Sequence, residues 1–189
     1  MEIDAAKRVL ETDRLVLRHL CLDDLDALAA IQADPQVMRY FTSGPRSRSE
    51  VLGELERCIA LQEHHGFSLW AAIEKAGGRL IGRCGLLPQA LQGREEVEIA
   101  YLIDRSRWGL GLGTEAATAI RDHGFDHLGR DRLVSIIHRD NLASRRVAEK
   151  AGLKPERMIQ FMKHRCWLYV IGLKDRASSI EAPNRRSSS

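Results

Sequence analysis

The 189-residue chain has no cysteine pair at motif spacing, no long apolar run and no concentration of charge of one sign. Cys21, Cys58, Cys84 and Cys166 stand singly, which excludes the C-x-x-C zinc and dithiol motifs and predicts reduced thiols in the core. No stretch approaches the roughly 18 apolar residues of a membrane-spanning helix. The opening MEIDAAKRVLETDRL is interrupted by charge throughout and lacks the apolar segment of a secretory signal. A cytoplasmic protein that does not engage membranes is expected. The net charge is +3, of which +1 falls in the Ser-rich segment from Asp175 onward. That balance provides no basic face for nucleic acid.

What is present is ordinary for one globular domain, with 44% hydrophobic and 29% charged residues and no internal repeat. Residues 1–174 are expected to form that domain, and 175–189, without apolar periodicity, a disordered tail. Alternation predicts a strand over Arg14–Leu20, and helical spacing follows through Asp34, ahead of Pro35. Ser47 or Ser49 could cap a second helix whose buried stripe runs from Val51 to Gln62 and which ends at Gly66. Strands over Phe67–Glu74, Arg79–Leu87 and Val97–Ile103 read as an antiparallel meander. Helix Thr114–Leu128, strand Leu133–Ile137 and helix Leu142–Lys150 make the one crossover-like part. Two strands, Arg157–Lys163 and Cys166–Leu173, close the domain. The fold class is α/β, a mixed and mostly antiparallel sheet with one parallel crossover and helices on both faces.

The stretch WGLGLGTEA at 108–116 places Gly109, Gly111 and Gly113 at alternate positions before a helix. A tight turn would account for one or two of them. A ligand resting on exposed amides at the helix start would account for all three, because those amides have no internal partner and the helix dipole favours an anion. No Walker lysine follows the last glycine. Gly111-Leu112-Gly113-Thr114-Glu115-Ala116 does satisfy the dinucleotide pattern G-x-G-x-x-G/A, but the glycines do not directly follow the strand, which argues against that fold. Asp140 at the end of the next strand keeps the dinucleotide alternative open.

The order of strand, WGLGLGTEA, helix, strand and then NLASRRVAEKAGL at 141–153 resembles the GNAT superfamily of acetyltransferases, in particular its RimJ/RimL-like branch. The resemblance runs from about Glu11 to Leu173 and is most specific over residues 96–153. It implies acetyl-CoA as co-substrate. The amides of Gly109, Leu110, Gly111, Leu112, Gly113 and Thr114 would hold its pyrophosphate, the main chain of Leu102 and Ile103 its pantetheine arm, and Asn141 a further hydrogen bond to that arm. Arg145, Arg146 and Lys150 suit its 3′-phosphate, Arg146 being taken as the contact, although a solvated helix face explains them too. Where much of the superfamily begins the loop with Gln or Arg, this chain has Trp108, as the RimJ/RimL-like branch commonly does.

Acetyl transfer to an amine needs a neutral amine, a polarised carbonyl and a protonated thiol leaving group. Glu98 is the only charge between Val97 and Ile103, and on an interior strand its pKa would rise into the range of a general base. The resemblance places the base there as well, and the alternative is a strand-end carboxylate facing solvent. Many members of the superfamily carry an acid Tyr four residues before the terminal glycine, where this chain has Ala148. The resemblance offers Ser144 in its place, the alternative being ordinary helix packing with water as the acid. Tyr40, Phe41 and Trp70 are the candidates for the acceptor pocket, with core packing as the alternative. His123 and His127 have the i, i+4 spacing of a metal pair, but no third ligand accompanies them, so no metal is expected.

The expected function is therefore N-acetylation of a primary amine, the protein acting as monomer or homodimer. The alternative is a non-catalytic acyl-CoA-binding or sensing domain. An α-amine, with pKa near 8, is roughly 10% neutral at pH 7, whereas a lysine amine is far below 1% neutral, so the first asks less of the base. A protein N-terminus leads among acceptors, beside antibiotic amines and polyamines.

Overall fold

A computed structural model describes residues 8–180. Eight strands, β1 (Arg8–Glu11), β2 (Leu15–His19), β3 (Leu69–Glu74), β4 (Arg79–Leu91), β5 (Arg94–Ile103), β6 (Arg132–His138), β7 (Lys154–Phe161) and β8 (His164–Gly172), form one sheet. Their spatial order is β1-β2-β3-β4-β5-β6-β8-β7. Every neighbouring pair is antiparallel except β5 and β6, so the mixed sheet read from the sequence is the fold observed.

Helices α1 (Leu25–Gln32) and α2 (Arg48–His65) cover one face and α3 (Leu112–Asp126) the other. Under the first pair lies a cluster that includes Val16, Leu28, Val51, Leu55 and Ile73. Under α3 lies a larger core that includes Leu17, Trp70, Ile99, Ala116, Ile120 and Leu133. Because both sides are covered, β3 is buried at five successive positions and shows no alternation. α2 begins where Ser47 predicts it: the Ser47 hydroxyl accepts from the Glu50 amide while the Glu50 carboxylate accepts from the Ser47 amide at 2.7 Å. α4 (Leu142–Lys150) follows β6, and α5 (Leu173–Ile180) ends the described chain.

Three elements differ from expectation. β1 arises in a charged stretch, its pairing with β2 supplying what periodicity did not. β4 continues past Leu87 through Pro88 to Leu91, paired residue for residue with β5, and the hairpin closes at Gln92-Gly93, both with positive φ. Proline normally ends an interior strand because it donates no ladder hydrogen bond; here Pro88 is paired opposite Val97. Helix α5 occupies residues 173–180, so the first part of the segment read as disordered is helical, tied down by a bidentate Arg176–Asp126 pair at 2.5 and 2.9 Å. Residues 181–189 of that segment lie outside the described residues.

Candidate active site

The one parallel junction makes the site. Strands β5 and β6 share a single register pair, Glu98 with Val134, and two side-chain bonds beyond it, from the Ser135 hydroxyl to the Ile99 carbonyl at 3.0 Å and from the Ile136 amide to the Glu98 carboxylate at 3.3 Å. Beyond these contacts the two strands diverge, and a wedge opens toward their C-terminal ends. The Asp104 amide donates to Ile81 on β4 while the Ile99 carbonyl faces β6. Alternation along β5 therefore aims the main-chain groups of Tyr101 and Ile103 into the wedge and those of Leu102 toward β4. Leu102, expected to hold the pantetheine arm, thus turns its main chain to β4. The Ile103 carbonyl is itself engaged, accepting from the Trp108 indole N–H at 2.8 Å.

Glu98 sits at the apex of the wedge, 8% exposed. Burial pushes its carboxyl up to about 7, against the opposing pull of the Gln89 amide, the Ile136 N–H and Arg83. Gln89 Nε2 donates to Oε2 at 2.7 Å and the Ile136 amide to Oε1 at 3.3 Å. The carboxylate is held from two strands in an orientation set by the sheet. Gln89 lies on the part of β4 that Pro88 concealed from sequence reasoning.

From Glu98 an open cleft of about 280 Å³ extends over the α1/α2 side of the sheet. Tyr40 and Phe41, on the loop between α1 and α2, line it, and Ser144 faces it from α4. Asn141 is the N-cap of α4, its Oδ1 accepting from the Ser144 amide at 3.1 Å. The Ser144 carbonyl accepts from the hydroxyl of the half-buried Tyr101 at 2.8 Å, which fixes the α4 start across the wedge. Burial drives that phenol's pKa upward, so it remains a donor. His138 and His164, unforeseen in the sequence, stand 4.9 Å apart at the cleft wall, and Tyr40 packs 5.2 Å from His138. Burial and the neighbouring His164 hold His138 below the usual imidazole pKa. Its Nδ1 accepts from the Asp140 amide at 3.2 Å, which leaves Nε2 to carry the ring proton.

Trp70 does not join this cleft. It is 1% exposed on the α3 side of the sheet, its indole donating to Gln62 Oε1 at 3.1 Å and its ring edge-on to His123. On a strand buried on both faces, the sequence carries no signal for which side a residue takes. His123 and His127 stack at 4.8 Å, and among the described residues no group of three metal-ligating side chains occurs. Cys58, Cys84 and Cys166 are buried free thiols and Cys21 is half-buried.

The glycine loop separates two requirements. Gly109 and Gly111 have φ of +78° and +79°, a left-handed conformation that side chains disfavour, and Gly111 is the N-cap of α3. Gly113 has no such angle, and a Cβ there would meet only Val147 at an ordinary 3.8 Å. Nothing in the chain's own packing asks for glycine at 113, whereas a ligand laid on the amides of Leu112–Thr114 would. Glu115, one turn in, binds the Arg14 amide and guanidinium at 2.8 and 2.6 Å, and Arg14 also donates to the Leu110 carbonyl at 2.8 Å. The loop is thus anchored to the start of β2. Of the basic residues on α4, Arg145 is engaged with the Tyr169 hydroxyl at 3.0 Å, while Arg146 and Lys150 are exposed.

This junction, loop and helix lie within residues 14–154, which match the family model described as Acetyltransferase (GNAT) domain. The chain belongs to the GNAT acetyltransferase family. It is similar to the Bacillus subtilis (strain 168) uncharacterized protein YkkB, 34% identical over 176 residues that make up 92% of this chain and 98% of that one. The uncharacterized N-acetyltransferase YoaA of the same organism is 29% identical over 80% of this chain and 86% of its own. The crystal structure of an acetyltransferase from Agrobacterium tumefaciens str. C58 superposes with a TM-score of 0.75 at 26% identity, covering 86% of this chain and 92% of that one. As a GNAT acetyltransferase the protein uses acetyl-CoA as co-substrate and transfers the acetyl group to amines. No helix among the described residues is long and apolar enough to cross a membrane.

Proposed function

We propose that this acetyltransferase acts on a primary α-amine of a peptide or protein N-terminus, in the manner of the RimJ/RimL-like branch, with Glu98 as general base and Ser144 as the proton source for the departing thiolate. The observation that carries the reading is the Glu98 carboxyl, raised to about 7 at the apex of the wedge where the cleft begins. A base of that pKa is well matched to an amine that is partly neutral at pH 7. Acetyl-CoA supplies an activated thioester. The chain supplies placement: the amides of Gly109 to Thr114 for the pyrophosphate, the main chain of Tyr101, the Ile103 amide and the Asn141 side chain for the pantetheine arm, and Arg146 for the 3′-phosphate. Tyr40 and Phe41 wall the acceptor. Trp108 in place of the usual Gln or Arg, and Ala148 in place of an acid Tyr, support the branch assignment.

A panel of peptides tests the acceptor. Thiol release from acetyl-CoA is expected with peptides bearing a free α-amine and a blocked lysine, and not with their Nα-blocked, free-lysine counterparts. The reverse order would remove the α-amine reading.

Ser144 is separable from the rest of the site. Ser144→Ala keeps the main-chain carbonyl that Tyr101 binds and the amide that Asn141 binds, so the start of α4 stays in place. We expect kcat to fall while acetyl-CoA affinity is unchanged, because only the hydroxyl is removed. Single-turnover rates and donor titrations on both proteins check this; an unchanged kcat assigns the proton to water.

A further inference from the structure

Two guanidinium groups in the cleft wall converge on one carboxylate. Glu54 of α2 is shared by two guanidinium groups. Arg46 Nη1 lies 2.5 Å and Arg83 Nη2 2.9 Å from the same Oε1, while Gln32 Nε2 donates to Oε2 at 2.8 Å. All three charged side chains line the cleft. Arg83 is 5% exposed, and its Nε is buried without a partner. Burial opposes ionisation of Glu54, but Arg83 and Arg46 together hold its pKa below the usual carboxylate value, so it is a full anion and neutralises one of them. The second cation is left in a largely desolvated position, an unfavourable arrangement unless an anion completes it. Glu98 takes its hydrogen bonds from Gln89 and the Ile136 amide rather than from either guanidinium.

We propose that Arg46 and Arg83 form a carboxylate subsite for the acceptor, selecting peptides with Asp or Glu at the second or third position. This rests on the α-amine reading above and deepens it. Leu87 is the β4 residue opposite Glu98, and Arg83 lies four residues before it on the same face, roughly 13 Å along a strand rising about 3.3 Å per residue. Arginine's reach shortens this gap to the length of two or three extended residues, at about 3.3–3.6 Å each. An α-amine at Glu98 therefore brings the second or third side chain to the guanidinium pair. Arg46 sits on the same loop as Tyr40 and Phe41, its Nε donating to Ser43 at 3.1 Å and its amide to the Gln32 carbonyl at 3.0 Å, so the subsite is built into the acceptor wall.

Binding of the acetylated products tests this without relying on turnover. Calorimetric titrations use N-acetyl-Ser-Glu-Ala-amide, N-acetyl-Ser-Ala-Glu-amide, their Gln and Lys counterparts, and N-acetyl-Ser-Ala-Ala as free acid and amide, with and without CoA. At least one Glu peptide is expected to bind tenfold or more tighter than its Gln counterpart. Arg46→Gln should erase that margin and Arg46→Lys should keep most of it; Arg46 is chosen because Arg83 is packed in the fold. The free-acid arm distinguishes a terminal from a side-chain carboxylate as the preferred anion. Equal binding of Glu and Gln peptides, tighter binding of Lys peptides, a margin that survives Arg46→Gln, or binding of no peptide overturns the subsite. Failure of the underlying acetyltransferase site is seen separately, as loss of CoA binding in a titration without peptide.

Discussion

Glu98→Gln is expected to lower kcat at neutral pH by about 10²–10⁴, the usual contribution of a positioned base. The replacement is nearly isosteric and its side-chain carbonyl can still accept from the Ile136 amide, while the Gln89 amide can turn its own oxygen toward the new NH2 group, so the main change is loss of the proton-accepting function. Two pH signatures accompany it. The wild-type rate should rise with pH through a limb near the Glu98 value of about 7. The variant should lose that limb and recover part of its rate only as the amine deprotonates unaided. Stability provides the second signature. The unfolded carboxyl ionises near 4.5 while the folded one keeps its proton to about 7, so between these values the folded state binds more protons. Folding stability must then fall as pH rises through that window, by an amount on the order of 3 kcal/mol for this one group. Urea titrations at a series of pH values should show this decline in the wild type and not in Glu98→Gln. A variant with wild-type turnover would return Glu98 to a structural role.

Gly111→Val should abolish acetyl-CoA binding with little change in secondary structure. A β-branched residue at φ +79° is strained, and relief of that strain moves the N-cap of α3 and with it the free amides of the first turn. Since a ligand at a hundredfold excess over Kd stabilises the fold by about 2.7 kcal/mol, the wild type should show a clear thermal shift with acetyl-CoA and the variant none. Gly113→Ala provides the contrast. It introduces no strain and only an ordinary contact with Val147, and alanine favours a helix by about 1 kcal/mol over glycine, so the apo protein should be as stable or more so. Weakened acetyl-CoA binding in that variant would place the ligand against Gly113 itself; unchanged binding would show that only the left-handed glycines matter.

Local chemistry was legible in the sequence and long-range juxtaposition was not. Ser47 announced α2 because a cap acts over three residues, and the glycines from 109 to 113 announced a helix start with exposed amides because glycine's backbone preference is a property of single residues. Glu98 stood out as one charge in an apolar strand. Gln89 did not, because its contact with Glu98 depends on a hairpin arm that continues through a proline. His138 and His164 meet because β6 pairs with β8, with His138 opposite Cys166, a pairing that neither segment encodes alone. Trp70 shows the limit of alternation, since a strand covered on both faces offers the same apolar signal on each. Which neighbour the Leu102 main chain faces is a matter of parity, which only the hydrogen bonds of Asp104 and Ile99 decide.

The single rung between β5 and β6 also bears on how the domain holds together in time. Five strands lie on one side of that junction and three on the other, and each group has its own ladder of backbone bonds. Cooperative opening follows lines where few such bonds must break, so the junction is the natural seam between two exchange units. The amides of Tyr101 and Ile103, facing the gap, should lose their deuterium label early, and those of β3 and β4 late. A guest pairing with that exposed edge would add rungs where the fold has almost none. It would act as a suture, raising protection in both halves together and sharpening the unfolding transition.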